Sequence, residues 1–415
     1  MDILTVITVL IIISALFSYI NERFFKMPAM IGVMTISVMV SLAVLIIGKI
    51  GDERFNVITR LAYNIDFSKV LLDVMLGFLL FAAALQLDNK KLNVLKRPVF
   101  ILSTLGVLVS AGTFGAMFYG LSLLLNIHIP LIYCFTFGAI ISPTDPIAVG
   151  SILKKTKIPA RLETIISGES LFNDALGLIL FVTLLGVAKQ TGPDISFTET
   201  LQVFVKEVLG GILLGLTFGV VGYQLIKPIR DYQTIFLISV AVVLGISLVG
   251  SRLHASIPLA AVVAGLMIGN DKFSKEHEGS EFFNSIWHLM DEVLNTILFV
   301  MIGLQLLVLP FLADYWLIGA CSIIIILLAR MMSVTLNAFF ELRRINLTSL
   351  SILTWAGLRG GISIALALSL PNSAYKEIIL SCCYCIVIFS VLVQGLTLNK
   401  VVNTVVGPKE ENEHL

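Results

Sequence analysis

Glu169 and Asn173 lie four residues apart in the stretch Gly168-Glu-Ser-Leu-Phe-Asn-Asp174, and so do Ser170 and Asp174. On a helix each pair shares a stripe and the two stripes adjoin, so four oxygen-bearing side chains cover one sector of an apolar run. Carboxylate, hydroxyl and amide oxygens suit a hard cation or a proton, and no thiolate or imidazole cluster accompanies them. Thr144 and Asp145 occur in Ser142-Pro-Thr-Asp-Pro146, and Arg359 in Ala356-Gly-Leu-Arg-Gly-Gly361. Arg330 stands alone inside a further apolar run, Leu328-Ala-Arg-Met331. A charge at the centre of a bilayer costs about 2.5–3.5 kcal/mol on insertion scales, so each of these needs a purpose or a partner. Glu163, nearer the head of its run, reads as a solvated helix end.

Composition places these groups in hydrocarbon. The chain has 415 residues, 57% of them hydrophobic and 13% charged, with a mean hydropathy of +0.98. That charged fraction is about half of what soluble domains carry. A formal net charge of +1 gives no reason to expect a nucleic-acid partner. Apolar windows long enough to span a membrane recur along the chain, and thirteen are expected. Span 4 is expected over 98–125, span 5 over 130–154, span 6 over 162–188 and span 12 over 347–370; the shortest, span 9, covers 256–270. The first span lacks a basic leader and a small-residue cleavage site, so it reads as uncleaved.

Loops after odd-numbered spans carry Arg23 and Lys26; Lys90, Lys91, Lys96 and Arg97; Lys154, Lys155, Lys157 and Arg161; Lys227 and Arg230; Lys272 and Lys275; Arg343 and Arg344. The opposite loops carry far fewer. The positive-inside rule therefore sets the N-terminus outside and the tail 409–415 in the cytoplasm.

Thirteen spans divide into a first six-helix repeat (1–190), a linker span (198–230) and a second repeat (231–404), within one integral membrane unit, 1–408. Corresponding spans are seven apart and cross in opposite senses, which makes the repeats inverted. Spans 5 and 12 correspond, and each carries a breaker: prolines in the first, glycines in the second. Paired broken helices point to a transport site at mid-membrane, where free helix ends meet ions. Asp145 and Arg359 sit in the two breaks and can offset the charge of converging helix ends.

The other candidate groups carry less. Cys134, Cys321, Cys382, Cys383 and Cys385 lie in apolar spans and read as packing, including the C-x-x-C of Cys382 and Cys385. The five histidines are scattered; His277, in an acidic loop, is the best pH-sensor candidate among them. No Walker loop, Ser-His-Asp order or dinucleotide fingerprint appears in a suitable setting, so neither ATP-driven transport nor an enzyme is expected.

Pro143-Thr-Asp-Pro146, Gly168-Glu-Ser-Leu-Phe-Asn-Asp174, Ile297-Leu-Phe-Val-Met-Ile-Gly-Leu304 and Trp355-Ala-Gly-Leu-Arg-Gly-Gly361 resemble the NhaP-type sodium/proton antiporters. These belong to the monovalent cation:proton antiporter group that includes the animal sodium/proton exchangers. Phe78-Leu-Leu-Phe-Ala-Ala-Ala-Leu-Gln-Leu-Asp88 is similar to the family's third span, and the likeness runs nearly end to end. The resemblance implies an all-α, thirteen-span fold in the plasma membrane and a homodimer. It implies a core domain (98–188 and 316–404) that moves against a dimerisation domain (1–97 and 198–308) to expose the site to alternate sides.

It also implies roles. Asp174 is the essential carboxylate for cation or proton; Thr144 offers an oxygen, Asp145 acts directly or through water, and Ser170 and Glu169 complete the shell. Asn173, in the same site, occupies the position that is Asp in electrogenic relatives. Arg330 pairs with Glu169 in preference to Asp291, Glu292 or Asp73, and Arg359 stabilises the second break. No cofactor is implied; sodium or lithium and protons are cargo. Because a proton and a sodium ion each neutralise one carboxylate, competition at Asp174 gives electroneutral one-for-one exchange without a second coupling site, serving pH and sodium homeostasis. Potassium/proton exchange stays open, as does a sodium-coupled symporter of an organic anion. The symporter needs a larger polar cavity and basic residues, of which only Arg330 and Arg359 are available. A channel would need a ring of acids, which this asymmetric set does not suggest.

Overall fold

In hydrocarbon every backbone N–H and C=O has to be satisfied within the chain, which favours helices. The computed structural model describes residues 3–48, 67–145, 158–189, 197–269, 280–308, 315–341 and 347–406, and contains no strand among them. Pro146 to 154 of span 5, His277, Arg343, Arg344 and the tail 409–415 lie outside the described residues.

The helices are α1 (Ile3–Ile20), α2 (Ala29–Gly48), α3 (Phe67–Gln86), α4 (Asn89–Leu124), α5 (Leu131–Ile141) and α6 (Ala160–Lys189). They continue as α7 (Phe197–Ile226), α8 (Tyr232–Leu253), α9 (Ile257–Ile268), α10 (Ser280–Gln305) and α11 (Trp316–Glu341). A broken pair follows, α12 (Leu347–Trp355) and α13 (Gly361–Leu368), and then α14 (Ala374–Ile388) and α15 (Gly395–Val406), joined through a π-turn. Ten helical stretches of the described residues are long and apolar enough to cross a membrane. With the shorter α5 and α9 and the broken pair, they account for the thirteen expected spans.

The helix that carries span 4 starts earlier than its apolar run. The basic run expected in a loop is helical, because α4 begins at Asn89 rather than near residue 98. Asp88 caps it, accepting from the backbone N–H of Lys90 at 3.0 Å and of Lys91 at 3.2 Å. The Lys91 N–H contributes most to holding the Asp88 carboxyl below the usual carboxylate range. A helix of 36 residues is about 54 Å long, well beyond the roughly 30 Å of a hydrocarbon core. The first turns of α4, with Lys90, Lys91, Lys96 and Arg97, therefore extend past it.

Small and hydroxyl residues set the helix contacts, as packing in lipid requires. On α7, a Cβ at Gly215 would lie 2.5 Å from the Ala260 carbonyl of α9, so that crossing needs glycine. Ser37 and Ser41 of α2 donate to the Val300 and Gly303 carbonyls of α10 at 2.9 and 2.8 Å. Ser333 of α11 donates to the Gly106 carbonyl of α4 at 2.8 Å. Trp287 of α10 is fully buried against Phe81 of α3 and Phe236 of α8, with its Nε1 donating to Ser239 at 3.1 Å. α4 packs on α5, α6 and α11, whereas α3 packs on α9 and α10.

Candidate ion-binding site

Two helix ends, of α5 and α12, meet at the centre. α5 ends at Ile141 and α12 at Trp355, and α13 begins at Gly361, so 142–145 and 356–360 lie outside the helices, with Ser142 and Ala356 still donating to Gly138 and Ile352. The breaks supply partners to each other. The Asp145 N–H donates to the Leu358 carbonyl at 2.8 Å. Arg359 Nη1 donates to the Ser142 carbonyl and, at 2.8 Å, to the Pro143 carbonyl. A buried guanidinium thus meets the carbonyls just past the negative end of α5. The Arg359 N–H is taken by Ser390 Oγ at 2.7 Å, from the π-turn after α14.

Asp145 occupies the other side of the crossing. Its carboxylate lies where a Cβ on Gly360 would be, so Gly360 has to be glycine for the acid to approach the first turn of α13. Gly177 on α6 makes the same allowance for the Pro143 ring.

α6 brings its polar sector against this crossing. Asn173 Oδ1 accepts from the Thr144 N–H at 3.2 Å, and its Nδ2 donates to Thr144 Oγ1 at 2.8 Å. Thr144 Oγ1 and Ser170 Oγ lie 2.8 Å apart. Three side chains thereby satisfy one another, all of them buried. A carboxylate at position 173 could accept from the amide but could not donate to the hydroxyl.

Asp174, 3% exposed, turns to a separate hollow. A cavity of about 20 Å³ is lined by Asp145, Asp174, Pro143, Asn295, Gly360 and Ser363, with leucines of α3 closing it. That is space for one water-sized species. Of the six expected ion ligands, only Asp145 and Asp174 line it; Thr144, Ser170 and Asn173 form the adjoining hydrogen-bonded group. Glu169, expected in the shell, has both carboxylate oxygens on Arg330: Nη1 donates to Oε1, and Nη2 to Oε2 at 2.8 Å. Arg330 also donates to the Leu353 carbonyl of α12, from Nη2 at 3.3 Å and Nε at 3.4 Å. Glu169 is 1% exposed and Arg330 5%, so each neutralises a charge that water cannot reach.

The other acids weighed for Arg330 lie elsewhere or are not described. Asp291 accepts from Asn295 Nδ2 at 2.9 Å, and Glu292 lies 3.6 Å from His288; the Asp73 side chain is outside the described residues. Asn295 is the site residue that the sequence reading passed over. Asp291 and Asn295 stand four apart on α10, the same spacing that singled out Glu169 and Asn173, so the signal was present. Ser390 carried no such signal, because its role depends on a π-turn bringing it to Arg359. The five cysteines are free thiols, and no group of three His, Cys, Asp or Glu gathers among the described residues.

A family model described as "Sodium/hydrogen exchanger, transmembrane" matches residues 11–404. The Na(+)/H(+) antiporter NhaP of Pseudomonas aeruginosa is 38% identical over 425 aligned positions, covering 99% of each chain. The Na(+)/H(+) antiporter NhaH of Halobacillus dabanensis is 31% identical over 342 positions, 81% of this chain and 83% of that one. The solved sodium proton antiporter MjNhaP1 of Methanocaldococcus jannaschii superposes with a TM-score of 0.78, over 98% of this chain and 100% of its own, at 18% identity. The matched span holds the crossing of α5 with α12 and α13, the polar sector of α6 and the Glu169–Arg330 pair. The chain is a multi-pass membrane protein and belongs to the transmembrane sodium/hydrogen exchanger family, whose members are transporters rather than enzymes.

Proposed function

We propose that the protein exchanges sodium, and lithium, for protons across the plasma membrane by competition of cation and proton at Asp174. The observation that carries this reading is the pairing of Asp174 with Asp145 around a cavity of about 20 Å³. A hard monovalent ion there would find carboxylate oxygens at once. The Thr144 and Ser170 hydroxyls, 2.8 Å apart in the adjoining group, keep the neighbouring turn of α6 in place. Arg359 and the first turn of α13 hold the break in shape, while Glu169 and Arg330 fix α6 against α12. With Asn173 amidic and bonded in both directions, the sector that meets the ion holds one titrating group from α6, Asp174. One cation in for one proton out then moves no net charge, and the larger gradient sets the direction.

Alternating access in a homodimer completes this reading: a core of α4 to α6 and α11 to α15 carries the site past a dimerisation domain of α1 to α3 and α7 to α10. In the cell this serves pH and sodium homeostasis, with the N-terminus outside and the C-terminus in the cytoplasm. Potassium for proton is the second reading, and a cation series separates the two. The small cavity, lined by no basic side chain, speaks against an organic-anion symporter.

The test is sodium uptake into proteoliposomes against an imposed pH gradient, across a series of lithium, sodium and potassium. Uptake of sodium and lithium that dissipates the pH gradient without generating a membrane potential is the expected result. A potential produced by transport itself would overturn the electroneutral claim, and unaltered exchange in Asp174→Asn would overturn the site.

A further inference from the structure

α6 meets α7 and α9 over a small apolar contact in which Ala175, Ile179 and Leu259 are buried. Beside it the seam is hollow. A crevice of about 810 Å³ separates α4 and α6 from α7 and α9. Phe172, Leu176 and Leu180 form one wall at four-residue spacing on α6, and Ile212 and Val263 stand opposite. A second hollow of about 470 Å³ adjoins it: Asn93, Phe100 and Phe172 line both, and Lys96 and Arg97 line the second alone. Lys96 and Arg97 are exposed, on the turns of α4 that extend beyond the hydrocarbon. An apolar chamber at bilayer depth thus leads past two phenylalanines to a basic vestibule at the surface.

The chamber is lined mainly by apolar side chains, with Asn89, Asn93, Ser103 and Thr104 along its α4 wall, and at this depth the membrane offers acyl chains. The vestibule selects the headgroup, since lysine and arginine beside a lipid phosphate favour one with no compensating ammonium. We propose that this crevice is a binding site for an anionic phospholipid, one acyl chain in the chamber between α6 and α7 and the phosphate beside Lys96 and Arg97. The lipid then lies on the helix that carries Asp174, although its binding does not depend on how that residue acts.

Binding is measured by native mass spectrometry of the folded protein, released from detergent with equimolar phosphatidylglycerol and phosphatidylethanolamine. Wild-type protein is expected to retain phosphatidylglycerol in excess. Lys96→Gln and Arg97→Gln are each expected to lower that preference by about fivefold, the worth of one basic residue at an anionic surface. Ile212→Trp, or the smaller filling Val263→Phe, is expected to reduce retention of both lipids by occupying the chamber. Equal retention of the two lipids by wild-type protein, which marks ordinary boundary contact, would overturn the proposal. So would an unchanged preference in the doubly substituted vestibule, or full retention in both chamber-filling variants.

Discussion

The backbone N–H of Asp145 donates to the carbonyl of Leu358 at 2.8 Å, joining the segments that follow α5 and α12 by main chain rather than by side chains alone. Arg359 reinforces the joint from the other direction through the Pro143 carbonyl. A displacement of either break therefore carries the other with it, and the geometry around Asp174 travels as a unit.

Asp174→Asn keeps the size of the side chain and removes its capacity to bind a proton or to neutralise a cation. Sodium-driven proton movement in proteoliposomes is expected to fall by about a hundredfold or more, while the protein elutes from size-exclusion chromatography as wild type does.

Gly360→Ala puts a methyl group into the volume of the Asp145 carboxylate. Transport is expected to fall by about tenfold or more. Gly112→Ala on α4, where a Cβ meets nothing within 4 Å, serves as the control and is expected to leave transport unaltered. Equal effects of the two substitutions would show that the crowding at Gly360 has no special consequence.

Arg330→Met leaves the Glu169 carboxylate buried without its bidentate partner. Breaking such a pair costs about 3–5 kcal/mol, whereas replacing both partners by apolar groups of similar size is often nearly neutral. Melting in detergent is therefore expected to drop sharply for Arg330→Met and to recover in Glu169→Leu with Arg330→Met. A double variant as unstable as the single would place the Arg330 contribution in its bonds to Leu353.

Asp291 holds Asn295, which lines the cavity, through the 2.9 Å bond to its Nδ2. Asp291→Ala is expected to raise the apparent KM for sodium by about three- to tenfold and leave the maximal rate within about twofold. Initial rates over a sodium series check this; a loss confined to the maximal rate would assign Asp291 to the moving step instead.

Asp231 caps α8, and the Thr234 hydroxyl, at 2.6 Å, with the Thr234 N–H, at 2.9 Å, holds its carboxyl below the ordinary carboxylate range. A depressed folded-state value stabilises the fold above the unfolded pKa, and that stabilisation fades as pH falls through the folded one. The difference in melting temperature between wild-type protein and Asp231→Ala is thus expected to be full at neutral pH and to shrink below about pH 4.

Much of this was legible because hydrocarbon imposes strong rules. Apolar runs gave the number of spans, and the prolines and glycines gave the breaks in spans 5 and 12. The start of α4 was not legible, since Lys90 to Arg97 look like loop unless Asp88 is read as a cap. In the site, four-residue spacing brought Glu169, Ser170, Asn173 and Asp174 to one sector, but spacing says nothing about what each side chain turns to. The division between Asp174 at the cavity and Asn173 bonded to Thr144 depends on how α6 packs on the crossing, which is a long-range contact.

Glu169 and Arg330 are 161 residues apart, and four helices, α7 to α10, are made between them. At about 5–20 residues per second, Glu169 waits roughly 10–30 s for its partner to be synthesised. Through that interval Glu169 has to remain at a polar boundary, because a charge alone in lipid is unfavourable. The arrival of α11 is therefore the event that lets α6 settle. Faults in this pair act first on the assembly of the protein in its membrane, and lower the yield of folded transporter before they slow its turnover.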